Sequence, residues 1–231
     1  MANTGFNAAS DIFSLGTSWK PVSLTANKSH SVAECKNSFG DIVARDVYGE
    51  TVAPSVDYEL VAAVTSLPAL GTVVSYDSKK IAISSITIRT SMGAAPTATV
   101  SGTRVEDGAS TGRTYALPTL AISTRHRAQD ITSEHATEPS TLSEATFTFT
   151  CDVTTASADG EIVSSDVSNG RYEASFTNTL SSATASVTLP SVSGTKVLSS
   201  PETKTFARDG YITTAYTATD SLTGSEPSSS T

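Results

Sequence analysis

Charged residues are only 16% of this 231-residue chain and aromatics only 6%, with one tryptophan, two cysteines and three histidines. Each scarcity excludes something. Cys35 and Cys151 are far apart, and neither stands in a CxxC or Cys/His spacing, which argues against a zinc site. A disulfide between them is geometrically open. Nothing else points to an oxidising compartment, so free, half-buried thiols are expected. His30, His126 and His135 do not fall at metal-ligand spacing and read as surface or hydrogen-bonded residues. GxSxG, HExxH, P-loop, GxGxxG and EF-hand patterns are all missing. The lone Trp19 reads as a core anchor, not a stacking platform. No run approaches the ~20 apolar residues of a membrane helix. The opening MANTGFNAASDIFSLG has neither a basic n-region nor an apolar h-region, so the expectation is a soluble, unprocessed protein made in the cytoplasm, with no membrane association. The net charge of −8 disfavours nucleic acid, and Arg125-His126-Arg127 is too small a basic cluster to reverse that. Asp41, Asp46, Asp57 and Glu59 permit paired carboxylates on adjacent strands, but such acids on a wet sheet face are ordinarily solvating charge. The chain is not expected to be an enzyme, and no cofactor or metal is expected.

What is present is Ser and Thr in every region, with many short alternating runs. That predicts an all-β fold, a β-sandwich or partly closed barrel. At most one or two short helices, one long mid-chain loop and extended terminal arms complete it. The clearest hairpin lies within Glu34–Val64. Val52, Pro54, Val56, Tyr58, Leu60, Ala62 and Val64 alternate with small or charged residues, giving one apolar and one wet face. Ile42–Tyr48 is expected to join this arm through a turn at Gly49-Glu50. Pro54, lacking an N–H, argues for an edge or a bulge. Further strands are expected at Trp19–Leu24, Thr97–Val105, Arg113–Ser123, Ala145–Val153, Arg171–Thr179, Ala183–Leu189, Lys204–Phe206 and Tyr211–Ala218. In KIAISSITIRT the Ser84-Ser85 pair shifts the phase of the isoleucines by one, which calls for a bulge or a crossing between sheets.

The expected organisation is an N-terminal arm or short helix at 1–16, a β-sandwich domain at 17–219 and a flexible tail at 220–231. Polar residues 124–144 form a long loop, with one helical turn around Ala128–His135 left open. One internal echo stands out. Gly40-Asp41-Ile42-Val43-Ala44-Arg45-Asp46-Val47 returns as Gly160-Glu161-Ile162-Val163-Ser164-Ser165-Asp166-Val167, so 34–64 echoes 151–176 and an internal duplication is open. A motif-free, acidic β chain with long loops and arms has the features of a structural subunit.

Ala33–Leu60, with its GDIVA, tight turn and VAPSVDY, resembles the tail tube proteins of bacteriophages, as do Ile86–Leu117 and Ala158–Phe176. Together these cover under half the chain, and the Ser-rich tail is not explained by them. The resemblance implies a virion subunit, made in the host cytoplasm, whose sheet joins its neighbours into rings, commonly hexameric. The rings stack into a tube that conducts the genome, meet other virion proteins at the tube ends, and let DNA pass without specific binding. Acidic residues then suit a lumen that repels phosphates. The candidate lumen acids are Asp46, Asp57, Glu59, Glu106, Asp107, Asp152 and Glu161. The candidate inter-ring loop carries Arg125, Arg127, Asp130, Glu134 and Glu138. Two other classes remain open: a capsid decoration or head–tail connector subunit, and a non-viral surface or carbohydrate-binding β-sandwich. A sugar platform ordinarily needs several exposed aromatics, against the single tryptophan here.

Overall fold

The computed structural model describes residues 11–63, 66–91, 94–108, 112–118, 120–121, 132–133, 142–158, 161–180, 197–206 and 212–225. The chain is all-β, with strands β1 (Trp19–Lys36), β2 (Ile42–Leu60), β3 (Val73–Tyr76), β4 (Lys79–Ser91), β5 (Thr97–Arg104), β6 (Thr114–Tyr115), β7 (Leu120–Ala121), β8 (Thr132–Ser133), β9 (Leu142–Ala158), β10 (Glu161–Leu180), β11 (Val197–Phe206), β12 (Ile212–Ser221) and β13 (Gly224–Ser225). No helix occurs among the described residues. The main sheet runs β1-β2-β5-β4-β9-β10-β12-β11, with β3 also paired to β4, and every ladder in it is antiparallel. β13 pairs with β6 and β7 with β8 in two small ladders.

Alternation decides which face is buried. Val52, Val56, Tyr58 and Leu60 of β2 point into one core with Ile81, Ile83, Ile86 and Ile88 of β4 and Phe147, Phe149, Tyr172 and Phe176 of the β9–β10 hairpin. The four isoleucines reach the same core because the β4–β5 ladder slips between Ile83 and Ser85. The extra Ser84 is a bulge, one of the two readings that the phase shift allowed. Four ladder steps separate β2 from β10, roughly 19 Å in a flat sheet. Yet the two strands come within 8 Å of each other, so the sheet curls and its apolar face closes on itself like a sandwich. It is not a closed barrel: β1 and β11 are its two ends.

Several expectations are corrected. Gly49-Glu50 is not a turn. β2 runs straight through it, and the β1–β2 ladder slips there, between Ser29 and Ser31. Gly49 has φ 65°, so a bulge carried the same glycine signal as a turn. The true turn is at Asn37–Asp41, where Asn37 Oδ1 accepts the Phe39 and Asp41 N–H groups, both at 2.9 Å. The first strand therefore reaches Lys36, well past Leu24. Pro54 pairs with Ala26 of β1 and lies one residue beyond Ser55, the last rung of β2 to β5, so β2 has a described ladder partner on one side only there. Among its described residues, Arg113–Ser123 holds only the short β6 and β7, and Thr132–Ser133 is strand where a helical turn was open.

The ends are also more ordered than the sequence suggests. Phe13 and Leu15 are buried, pinned by Asp11, whose carboxylate accepts from Leu15 N (3.1 Å), Gly16 N (3.2 Å) and the Tyr58 hydroxyl (3.0 Å). At the other end, Asp220–Ser225 was expected within a flexible tail. Instead Leu222 packs on the core and β13 lies on β6, with Tyr115 over Gly170, where an added Cβ would sit 2.3 Å from the ring. Ala183–Leu189 and the Asp159-Gly160 turn signal lie outside the described residues.

Candidate assembly surface

The outer part of the β1–β2 hairpin leaves the body as a two-stranded arm. Between Asn27 and Tyr48 every residue but Asn37 is exposed. Ten residues per strand, Asn27 to Lys36 on one side, make the arm roughly 30 Å long. A free two-stranded ribbon is marginal in water, because neither face is covered. This one also displays apolar side chains. Among the described residues, six of the nine exposed large hydrophobics sit on it: Val32, Phe39, Ile42, Val43, Val47 and Tyr48. Phe39 at the tip is 89% exposed. Val32 and Val47 are a cross-strand pair, flanked two rungs on by the Glu34–Arg45 ion pair at 2.7 Å. A soluble monomer rarely concentrates apolar surface so, which makes the arm a candidate contact site.

At the base of the arm a polar groove of about 500 Å³ is lined by His30, Asp46, Glu50, Lys79, Arg104 and Glu161. Arg104 is its anchor, only 4% exposed. Its guanidinium donates to the Glu50 carbonyl and pairs with Asp107 (3.2 Å) and Glu161 (3.5 Å). Lys79 also reaches Asp107, at 3.5 Å. Slight burial works against the Asp107 charge, but Lys79 and Arg104 hold its carboxyl below the usual range. These contacts tie the arm's base, β5 and the start of β10 together. Lys79 and Arg104 pair with Asp107 and Glu161, and no nucleophile–base pair is among these contacts.

The seven candidate lumen acids do not form one array. Asp57 and Glu59 lie exposed on the wet face of β2. Asp57 is held by hydroxyls from both neighbouring strands, Ser23 (2.6 Å) and Thr99 (2.8 Å). Asp107 and Glu161 are engaged by Arg104, and Asp46 shares their groove. Asp152 accepts from Arg171 (2.5 Å) and Asn169 (2.9 Å) on the wet face of β9–β10. Glu106 is half-buried beside Asp107. Arg125, Arg127, Asp130, Glu134 and Glu138 lie outside the described residues.

The cysteines are both free, though unlike each other: Cys35 is exposed near the arm tip and Cys151 is buried. Burial, with help from Asp152, pushes the Cys151 thiol up to about 11, and its S–H donates to the Ile83 carbonyl at 3.5 Å. Burial and Asp11 likewise push the Tyr58 hydroxyl above its ordinary range. These are structural groups, protonated at neutral pH.

Sequence reasoning missed the arm's apolar residues as a group. Their signal was adjacency: Ile42-Val43 and Val47-Tyr48 put apolar side chains on both faces of one strand, which a half-buried strand avoids. No protein-family model matches the chain, and no curated protein matches it.

Proposed function

We propose that the chain is a structural subunit that self-assembles, with the β1–β2 arm as a principal contact. The observation that carries this reading is the arm itself, a long ribbon exposed on both faces and bearing most of the exposed large apolar side chains among the described residues. Its stability and solubility both improve if a neighbour covers it. Among the described residues, β1 and β11 end the sheet, and such edges offer backbone groups that another chain can use.

The resemblance of Ala33–Leu60, Ile86–Leu117 and Ala158–Phe176 to phage tail tube proteins supports a particular polymer: stacked rings forming a tail tube in the virion. Asp57 and Glu59, exposed on a face of hydroxyl-bearing neighbours, suit the lumen of such a tube. The test is electron microscopy of the purified protein. Rings or tubes with a central pore are expected. Compact monomers at all concentrations would refute the assembly reading, and closed particles without a pore would refute the tube.

A further inference from the structure

The strand order is one pattern written twice. β1-β2-β5-β4 is followed by β9-β10-β12-β11. In each set a long hairpin comes first, the later strand of the next pair lies against it, and the earlier strand lies outermost. The registers agree rung by rung. Adding 121 to the β1 numbers and 120 to those of β2 converts Lys36↔Ile42 into Ser157↔Ile162. It converts Lys28↔Val52 into Phe149↔Tyr172, and Pro21↔Tyr58 into Leu142↔Asn178. Three irregularities coincide as well. Val43 is the extra residue in one hairpin and Val163 in the other; Gly49-Glu50 answers to Asn169-Gly170, and Val22 to Ser143. The middle bulge even keeps its left-handed residue, Gly49 at φ 65° and Asn169 at φ 54°. The third ladder follows with an offset of 116: Ser55↔Ser101 and Glu59↔Thr97 become Ser175↔Thr217 and Thr179↔Thr213. Bulges are discrete insertions, and unrelated hairpins have no reason to carry three at the same rungs.

These two units are joined edge to edge, because β4 pairs with β9. That ladder is a repeat-to-repeat junction inside one chain. The counterpart of β4 is β11 and that of β9 is β1, the two strands that end the sheet. We infer that β11 of one copy pairs antiparallel with β1 of the next, repeating the β4–β9 junction between molecules. The register follows from the offsets. Thr87↔Thr148, Ile88↔Phe147, Arg89↔Thr146 and Thr90↔Ala145 become Thr203↔Asn27, Lys204↔Ala26, Thr205↔Thr25 and Phe206↔Leu24 across the interface.

Burial on the arm supports the same junction. Val167 is 3% exposed because it packs on Gly71 and Gly112 of the first unit. Its counterpart is Val47, 58% exposed on the arm. Val153 is half-buried, and its counterpart Val32 is 52% exposed. A preceding copy seated on β1 supplies to Val47 and Val32 the neighbour that their counterparts already have. The counterparts of Phe149 and Cys151 are Lys28 and His30, so the intermolecular junction is the more polar of the two at that end. Two different edges meet, so the contact is head-to-tail, and copies add until a ring closes or a filament grows.

This deepens the self-assembly reading and rests on it, so the experiment separates the two. In a Cys35→Ser background, a tagged Thr25→Cys copy is mixed with an untagged Thr205→Cys copy and oxidised with copper–phenanthroline, which forms a disulfide only where the two Cβ atoms are about 4 Å apart. Oligomeric state is followed in parallel by sedimentation. A covalent heterodimer with Thr205→Cys, and little with Thr203→Cys two rungs out of register, is expected. Assembly without that product, or with equal yield from both, overturns the junction and leaves self-assembly standing. A monomer under all conditions overturns both. Hydrogen exchange on the unsubstituted protein is a second measurement: residues 24–27 and 203–206 should slow on assembly, and unchanged exchange there overturns the pairing.

Discussion

Replacing Phe39 by Ser and both Val43 and Val47 by Thr should weaken assembly while leaving the subunit folded. Phe39 is 89% exposed, Val43 63% and Val47 58%, so nearly all the area at stake is still in contact with water in a lone copy. Burying a whole Val or Phe side chain is worth about 1.5–3 kcal/mol. Scaled by exposure, that is about 2 kcal/mol for Phe39 and about 1 kcal/mol for each valine. The sum, about 4 kcal/mol, is an upper bound because ordering the arm costs part of it. At 1.4 kcal/mol per tenfold, the assembly threshold should rise between tenfold and about a thousandfold. Thr keeps the strand propensity of Val, so the ribbon is not simply broken. Thermal unfolding of the dilute subunit should be unchanged, since none of the three side chains belongs to the core. Sedimentation velocity over a concentration series measures the threshold. A shift below about threefold, with the fold intact, would refute the idea that the arm's apolar surface is a contact.

Four further outcomes are expected. Phe147→Ala removes a ring that stacks on Tyr172 at 6.5 Å and meets Phe176 edge-on at 5.6 Å. About 3–5 kcal/mol of stability should go, lowering Tm by roughly 6–20 °C, and a negligible shift in denaturant midpoint would contradict the single core. Gly170→Ala places a methyl 2.3 Å from the Tyr115 ring and should cost about 1–3 kcal/mol; pairing it with Tyr115→Ala should restore much of that, and purely additive losses would disprove the contact. The fold raises the Cys151 thiol from 9.0 to about 11, so the unfolded chain ionises first; the stability this gives is complete below pH 9 and lost as pH rises through 11. Cys151→Ala should flatten that part of the stability–pH profile, and a profile with the same slope would rule the linkage out. On the tail tube reading, Asp57→Lys with Glu59→Lys should leave tubes intact and slow genome ejection, and ejection at the unsubstituted rate would remove these acids from the lumen.

Much of the fold was legible because the dominant signals are local. Alternation in 52–60 and 145–153 identified buried faces, and the odd phase of Ile81-Ile83 against Ile86-Ile88 called for a bulge or a sheet crossing at Ser84-Ser85, of which the structure has the bulge. What failed was glycine reading. Gly49 marks a left-handed bulge residue, and a sequence shows only that such a residue is needed, not whether the strand turns or continues. The arm was hidden for a related reason. Residues 27–36 show no alternation, because neither face is buried, and an unpatterned segment reads as loop. The order of Asp220–Ser225 was also invisible, since it depends on Tyr115 and Gly170, distant in sequence, leaving space for Gly224 and a seat for Leu222. For the candidate site, the wet-face placement of Asp57 and Glu59 was readable. The engagement of Glu161 by Arg104 was not, because it needs β10 curled back towards β5.

The divergence between the two hairpins follows from their places in the sheet. β9 and β10 are central, paired on both sides, and their inward residues are Phe147, Phe149, Tyr172 and Phe176. At the matching positions β1 and β2 carry Ala26, Lys28, Val52 and Val56. An end strand has a neighbour on one side only, which leaves less surface to cover an aromatic at these positions, although Trp19 at the start of β1 is buried. A charged residue there also discourages pairing with the wrong chain. Lys28 serves both needs, kept in place by its ion pair with Asp77 on the β3–β4 turn. Yet Val32 and Val47, further out, stay apolar like Val153 and Val167, although both are more than half exposed in a lone copy. Polarity where the edge must stay selective, and apolar side chains kept where the internal junction buries their counterparts, is the pattern expected of a strand that is an edge in the monomer and an interior strand in the polymer.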